Sequence, residues 1–291
     1  MAKETLRLNA KIMQVSGFTI VRNASHFQYP ATESIRSILP ICDEFVVNVG
    51  DSDDNTLEFI HSIKSPKIKI IQNTWDFSQG KEVLSHQTNL ALKECSGDWA
   101  FYLQTDEVIH EADLEGLLEV MEHNLRRYDV DAIRLKWLHF YGSYHRYRID
   151  AGWYQKQDRI IRNNAKLESC GDAYGFRRID GQAIKRLTTP YFVYHYGWVQ
   201  SAAVMAQRRA NAKKIGFVDS QEGASPDFSF GDLNRFPVYF GSHPKVMNDR
   251  IRVHELSRED LDHIQRRYWW HPALHLKWRY KTWRRVKEKI L

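Results

Sequence analysis

Along the first 126 residues, short apolar runs alternate with segments of helical spacing, and that alternation leaves few folds open. The runs are 17–22 (GFTIVR), 44–49 (EFVVNV), 67–71 (KIKII) and 99–103 (WAFYL), rich in the β-branched and aromatic residues of buried strands. Helical faces separate them. Ile35, Ile38 and Leu39 recur before Pro40, and Leu57, Ile60, His61 and Ile63 before Pro66. Val83, Leu84, Leu90, Ala91 and Leu92 lie within 81–95, and Leu114, Leu117, Leu118 and Met121 within 112–126. Strands and helices in this order predict parallel strands joined by right-handed crossovers, a doubly wound, mostly parallel α/β sheet of Rossmann type. Ligands of such sheets collect beyond the carboxyl ends of the strands, where the polar clusters 22–25, 50–56 and 104–107 fall.

After residue 130 the pattern changes. Residues 131–147 and 191–199 read as strands around a loop-rich stretch, 150–190. The expected organisation is a catalytic domain over 12–215 and a C-terminal extension over 216–291 that ends in a helical appendage.

Charge is unevenly spread. The net charge of +6 lies in residues 258–291, with ten Lys/Arg and four Asp/Glu; the remaining chain carries 32 of each sign. A polyanion argument therefore belongs to the tail alone. There Leu276, Tyr280, Trp283, Val286 and Ile290 share one helical face, with Lys277, Arg279, Lys281 and Arg284 mostly elsewhere. Two readings stand side by side: a helix on an anionic membrane surface over 268–291, or a helix packed on the domain with a solvated basic side. No recognised nucleic-acid-binding module accompanies it, which argues against nucleic acid. Cys42, Cys95 and Cys170 form no CxxC pair and suggest neither a disulfide framework nor zinc. The N-terminus lacks the apolar core of a signal peptide, and no run of about 18 apolar residues exists. The expected location is cytoplasmic, with the inner membrane face as an option.

The stretch from Gly80 through Gln87-Thr88-Asn89-Leu90 to Gly97-Asp98-Trp99-Ala100-Phe101-Tyr102-Leu103-Gln104-Thr105-Asp106-Glu107 resembles family 2 glycosyltransferases of the GT-A fold, at the passage into their "DxD" motif. Residues 50–56 are similar to that family's "DDGSTDGT" turn, with Ser52, Asp54 and Thr56 matching. The resemblance covers roughly residues 12–140. Two positions depart from it: Gln104 replaces the first acid of DxD, and Val49-Gly50 replaces the acidic pair before the turn's glycine, with Asp51 beside them.

The resemblance implies a transferase that moves a sugar from a nucleotide-sugar donor to an acceptor, inverting; a glycan or lipid-linked acceptor, in cell-envelope polysaccharide or lipopolysaccharide synthesis, is the reading that suits the tail. A diphosphate leaving group gains negative charge as the glycosidic bond breaks, and a divalent cation, Mg2+ or Mn2+, neutralises it. Asp106 matches the metal-holding position, and Glu107 beside it is a candidate helper. His195, in Tyr194-His195-Tyr196-Gly197-Trp198, is read either as a second metal ligand or as a hydrogen-bonded core residue. Donor contacts are expected from Arg22, Asn23, Asp51, Asp54, Asp76, Asn89, Gln104 and Asp106; Asp54 alternatively caps a helix and Asp76 alternatively stabilises a turn. The base is expected to be Asp172, with Asp158 and Glu168 as rivals. Arg159 and Arg162 are read as phosphate contacts or as surface charges. A non-catalytic sugar-nucleotide or glycan-binding module is the alternative from another class. A sugar nucleotidyltransferase is disfavoured because Arg22-Asn23-Ala24-Ser25 stands where its Gly-rich loop belongs.

Overall fold

The structure, a computed structural model, describes residues 13–149, 152–164, 166–214 and 228–252. Among these residues the sheet has nine strands, and its parallel half matches the expected alternation. β1 (Val15–Val21) pairs in parallel with β2 (Glu44–Gly50) on one side and β4 (Trp99–Tyr102) on the other, and β2 pairs in parallel with β3 (Ile68–Asn73). The crossovers carry α1 (Ala31–Ile38), α2 (Thr56–His61) and α3 (Glu82–Lys93).

Both faces of β1, β2 and β4 are covered, which explains their near-continuous apolar runs, whereas the edge strand β3 is only half-buried. Side chains alternate across a strand. Phe101 of β4 and Phe45, Val47 and Val49 of β2 therefore face a cluster with Ile35 and Ile38 of α1. Leu117 and Met121 of α4 (Leu114–Asn124) belong to the same cluster. Tyr102, Phe18 and Val46 point the other way, to Val83 and Ala91 of α3.

Beyond β4 the pairing alternates in direction. β8 (Lys156–Arg162) runs antiparallel to β4 and to β6 (Ala132–Tyr141). β11 (Arg186–Trp198) runs parallel to β6, and the short β5 (Glu107–Ile109) closes the edge antiparallel to β11. β7 (Tyr147–Arg148) pairs with β6, and β9 (Leu167–Cys170) forms a separate hairpin with β10 (Gly175–Arg178). The expected loop-rich region 150–190 thus holds three strands. Their polar sequence hid them: β8 reads Lys-Gln-Asp-Arg-Ile-Ile-Arg, yet Asp158 and Arg159 are both 1% exposed. They can be buried because each is paired, and a buried charge with a partner avoids most of its desolvation cost.

A helix, α5 (Ala202–Lys214), follows β11, and the described part of the expected extension returns to the sheet. Val238 bridges to Arg146, Tyr239 and Met247 enter a third apolar cluster with Phe140 and Tyr196, and Arg250, in the short α6 (Asn248–Arg252), pairs with Glu33 at 2.7 Å. The basic aromatic tail proposed for 268–291 lies outside the described residues. Among the described residues no helix is long and apolar enough to cross a membrane.

Candidate active site

A cleft of about 310 Å³ opens at the carboxyl ends of the parallel strands. Arg22, beyond β1, Trp75 and Phe77, beyond β3, and Gln104, Thr105 and Asp106, beyond β4, line it. Asp172 and Ala173 join them from the β9–β10 turn, and Arg208 and Asn211 from α5. Four of the expected site residues therefore meet here: Arg22, Gln104, Asp106 and Asp172.

Backbone pairing brings His195 to Asp106. On β11, His195 stands opposite His139 of β6 and Glu107 of β5, and the next residue, Tyr196, donates its N–H to the Asp106 carbonyl at 2.8 Å. His195 Nε2 then lies 3.5 Å from Asp106 Oδ2. Burial alone would raise the Asp106 pKa, but His195 and Arg208 outweigh it and hold the carboxyl below its usual range. Gly197 leaves the space around the pair open: a Cβ there would stand 2.4 Å from Asp106 Oδ2 and 2.8 Å from His195 Nε2.

The tautomer of His195 follows from its neighbours. Burial, and then the nearby His195, push the His139 pKa down to about 3, so His139 is neutral. Its Nε2 lies 2.7 Å from the Tyr154 carbonyl, which only accepts, so Nε2 carries the proton and Nδ1 is bare. His139 Nδ1 lies 3.0 Å from His195 Nδ1 and must accept its hydrogen. In the neutral ring His195 Nε2 is therefore left with a lone pair turned towards a carboxylate. Two acceptors facing each other at this distance call for a cation or a proton between them.

The neighbouring acid has another task. Glu107 accepts two hydrogen bonds from Arg159, from Nε and Nη2, each 2.7 Å, and both side chains are buried. A β-bulge delivers that arginine: Ile160 pairs with Ile133 and Asp158 with Arg134, leaving Arg159 as the extra residue. Neither Glu107 as metal helper nor Arg159 as phosphate contact fits this placement, since they bind each other, Glu107 also accepts the Gln104 N–H, and Arg159 Nη1 is spent on the carbonyls of Asp158 and Tyr174. Arg162 likewise donates to the carbonyls of Asn124, Leu125, Arg127 and Val130 rather than facing the cleft.

The remaining expected donor contacts hold the frame. Asn23 is buried and its side chain accepts the Asp53 N–H at 3.1 Å. Asp54 accepts from the N–H groups of His26 and Thr56, and Asp76 from the N–H and hydroxyl of Ser78. Asn89 exchanges two bonds with the Ser169 backbone, fastening β9 to α3. Asp51 pairs with Arg22 Nε at 3.4 Å and accepts the Trp75 N–H. Of the rival bases, Asp158 is buried between Arg134 and Arg186 (2.9 and 2.8 Å), and Glu168 pairs with Arg177. Asp172 is half-buried and has no ion pair among the described residues.

Two departures noted in the sequence acquire a structural reason. A Cβ on Gly50 would come 2.5 Å from the Trp75 indole nitrogen, so the aromatic ring occupies the room that an acidic side chain at that position would need. Gln104 donates its side-chain amide to the Ala173 carbonyl at 3.2 Å, a bond a carboxylate cannot make.

Residues 18–183 match the sequence family described as glycosyl transferase family 2. The chain belongs to that family. The match spans more than half of the chain and includes every cleft residue named above except those of α5. No curated protein matches it. Solved structures similar to this family 2 chain include Staphylococcus aureus TarS 1-349 at 18% identity, which covers 70% of this chain and 65% of that one with a TM-score of 0.41. Glucosyl-3-phosphoglycerate synthase from Mycobacterium tuberculosis, solved with Mg2+ and uridine-diphosphate, is 11% identical over 76% of this chain and 85% of that one, TM-score 0.39. Mannosyl-3-phosphoglycerate synthase from Rubrobacter xylanophilus is 12% identical over 77% and 80%, TM-score 0.40. The chain thus spans slightly less than two thirds of the TarS fragment.

Several cleft residues were not foreseen from the sequence. Trp75 and Phe77 flank Asp76 and, unlike it, line the cleft. Arg208 donates to the carbonyls of Phe27 and Gly197 and lies 4.0 Å from the Tyr29 ring centroid. It comes from a helix with little amphipathic pattern, so no periodicity marked it.

Proposed function

We propose that the chain transfers a glycosyl group from a nucleotide-sugar donor to an acceptor hydroxyl, with a divalent cation held between Asp106 and His195. The observation that carries this reading is the 3.5 Å approach of Asp106 Oδ2 and His195 Nε2 at the end of a buried strand, with Asp106 inside the family 2 match. The donor set fits such an ion: an ionised carboxylate oxygen and an imidazole nitrogen, with open space secured by Gly197. Among the described residues no group of three His, Cys, Asp or Glu side chains gathers, so the diphosphate and water would complete the shell. When bound, the cation neutralises charge on the diphosphate as the anomeric bond breaks.

The chain's own groups supply the rest. Trp75 and Phe77 offer aromatic surface for a nucleobase, and the Arg22 guanidinium, 4.8 Å from the Phe77 centroid, offers a cation to the phosphates. Asp172 takes the proton of the acceptor hydroxyl as its oxygen forms the new bond to the anomeric carbon, and the nucleoside diphosphate leaves with the electrons of the old one. Attack from the face opposite the leaving group inverts the anomeric centre. A glycan or lipid-linked acceptor of the cell envelope is the reading that the basic aromatic tail suggests, with peripheral attachment at the inner membrane face.

A thermal-shift screen of nucleoside diphosphates and nucleotide sugars with and without Mn2+ tests the reading, since a ligand of the folded state raises apparent stability by mass action. At least one nucleotide sugar should stabilise the protein only when metal is present, and Asp106→Asn should remove that shift. Absence of metal-dependent stabilisation across the screen sinks the proposal.

A further inference from the structure

Tyr154 and Tyr174 stand out from the other exposed large apolar side chains. They are 51% and 41% exposed, yet their rings lie parallel, 6.0 Å between centroids and 8° between planes. Exposed rings standing alone are ordinary; two from separate segments held parallel are a prepared surface. Both are anchored to the polar layer under the cleft. The Tyr154 carbonyl accepts from His139 Nε2, and the Tyr174 carbonyl accepts from Arg159 Nη1 at 3.1 Å. The turn before Tyr174 is set by left-handed residues at Gly171 (φ 59°) and Ala173 (φ 61°), and between these two lies Asp172.

The topology decides what this surface faces. Sheet order runs β3-β2-β1-β4-β8, and β8 is antiparallel to β4. The residues just before β8, Tyr154 among them, therefore sit at the same edge as the carboxyl ends of the parallel strands. Along that edge the order is Trp75 and Phe77, then Arg22, then Asp106, then Tyr154. A donor whose base lies near Trp75 and whose diphosphate reaches Asp106 leaves the far side, with Asp172, for the molecule that receives the sugar.

We propose that Tyr154 and Tyr174, together with Asp172, form an acceptor subsite that takes a hexopyranose ring. This rests on the reading of the cleft as a nucleotide-sugar site. A pyranose presents a flat face of C–H groups and a rim of hydroxyls. Parallel phenol rings match the first, and the phenol hydroxyls and the carboxylate match the second. A purely aromatic partner would use the rings but leave Asp172 without a role.

Saturation-transfer NMR on the full chain with methyl hexopyranosides of gluco, galacto, manno and N-acetylglucosamine configuration is the test. At least one should receive saturation on its C–H face at millimolar concentration, and Tyr154→Ala and Tyr174→Ala should each weaken binding by roughly two- to tenfold. Nucleoside diphosphate binding with Mn2+, followed by calorimetry, should be unchanged in both variants. If no glycoside binds, or if binding survives in the double variant, the subsite is overturned. Metal-dependent nucleotide binding that persists beside such a result leaves the donor reading standing. Its loss in the unaltered protein would instead remove the reading on which the subsite depends.

Discussion

The side-chain amide of Gln104 donates to the carbonyl of Ala173 at 3.2 Å, joining the segment that carries Asp106 to the turn that carries Asp172. Ala173 is fully buried with a φ of 61°, a conformation that costs a non-glycine residue roughly 1–3 kcal/mol and persists only when its surroundings dictate it. The bond is part of what dictates it. Where the family usually keeps an acid, this chain keeps a donor, and the two candidate reacting groups are tied to one another through it.

Gln104→Glu retains length but turns an acceptor towards an acceptor. The Ala173 carbonyl then loses its partner, and the turn relaxes with Asp172 on it. We expect transfer to fall by roughly ten- to a hundredfold, the scale of an ångström-sized misplacement. Nucleoside diphosphate affinity should change by less than about threefold, well under the effect on transfer. Steady-state kinetics beside calorimetric titration separate the two; an equal loss in both would assign Gln104 to donor binding instead.

Glu107 offers a contrast, because its partner is a buried charge. Removing it by Glu107→Ala strands Arg159, whose guanidinium otherwise rests 4.5 Å from the Trp137 centroid. Breaking such a pair costs about 3–5 kcal/mol. Urea unfolding should show that loss, whereas Glu168→Ala, at the exposed Glu168–Arg177 pair, should leave the midpoint unchanged within error.

These two acids show how far the sequence could be read. Glu107 adjoins Asp106, and as text both look like metal ligands; the difference is a bulge in β8 that no periodicity announces. β1, β2 and β4 were legible because strands buried on both faces must be apolar throughout. The 150–190 region was not, since its strands bury charges against partners far away in sequence: Asp158 with Arg134 and Arg186, Arg159 with Glu107. Polar strand ends pointed to the edge of the sheet where the cleft opens, and Arg22, Gln104 and Asp106 line it. They did not say which polar residue faces the cleft and which holds the frame: Asn23, Asp54 and Asp76 brace turns, and Asn89 ties β9 to α3.

Gly197 is a sharper probe of the metal site than either ligand. A methyl group there would lie 2.4 Å from Asp106 Oδ2, and the His195 ring is held from behind by His139, so the carboxylate must yield. Gly197→Ala should therefore weaken Mn2+ binding, measured by calorimetry in the presence of a nucleoside diphosphate, by roughly tenfold or more. Melting temperature without metal reports whether the strand itself is damaged. Unaltered Mn2+ affinity would place the cation elsewhere.

Away from the cleft, His243 gives the protein a pH dependence that can be assigned to one side chain. Its Nδ1 lies 2.8 Å from the Tyr196 hydroxyl, its ring centroid is 4.8 Å from that of Phe140, and its Nε2 is buried with no partner among the described residues. Burial, and then His145 close by, push its pKa from 6.5 down to about 3. Between those values the unfolded chain holds a proton that the folded chain refuses. The stabilisation is therefore complete above pH 6.5 and drains away as pH falls towards 3. One group shifted this far accounts for roughly 1–2 kcal/mol between pH 7 and pH 5. His139, shifted in the same direction, adds a similar slope, so the informative quantity is the difference between the protein and His243→Phe. Urea unfolding at the two pH values should show the variant losing less stability than the unaltered protein. Parallel losses would mean that His243 is protonated in the folded state.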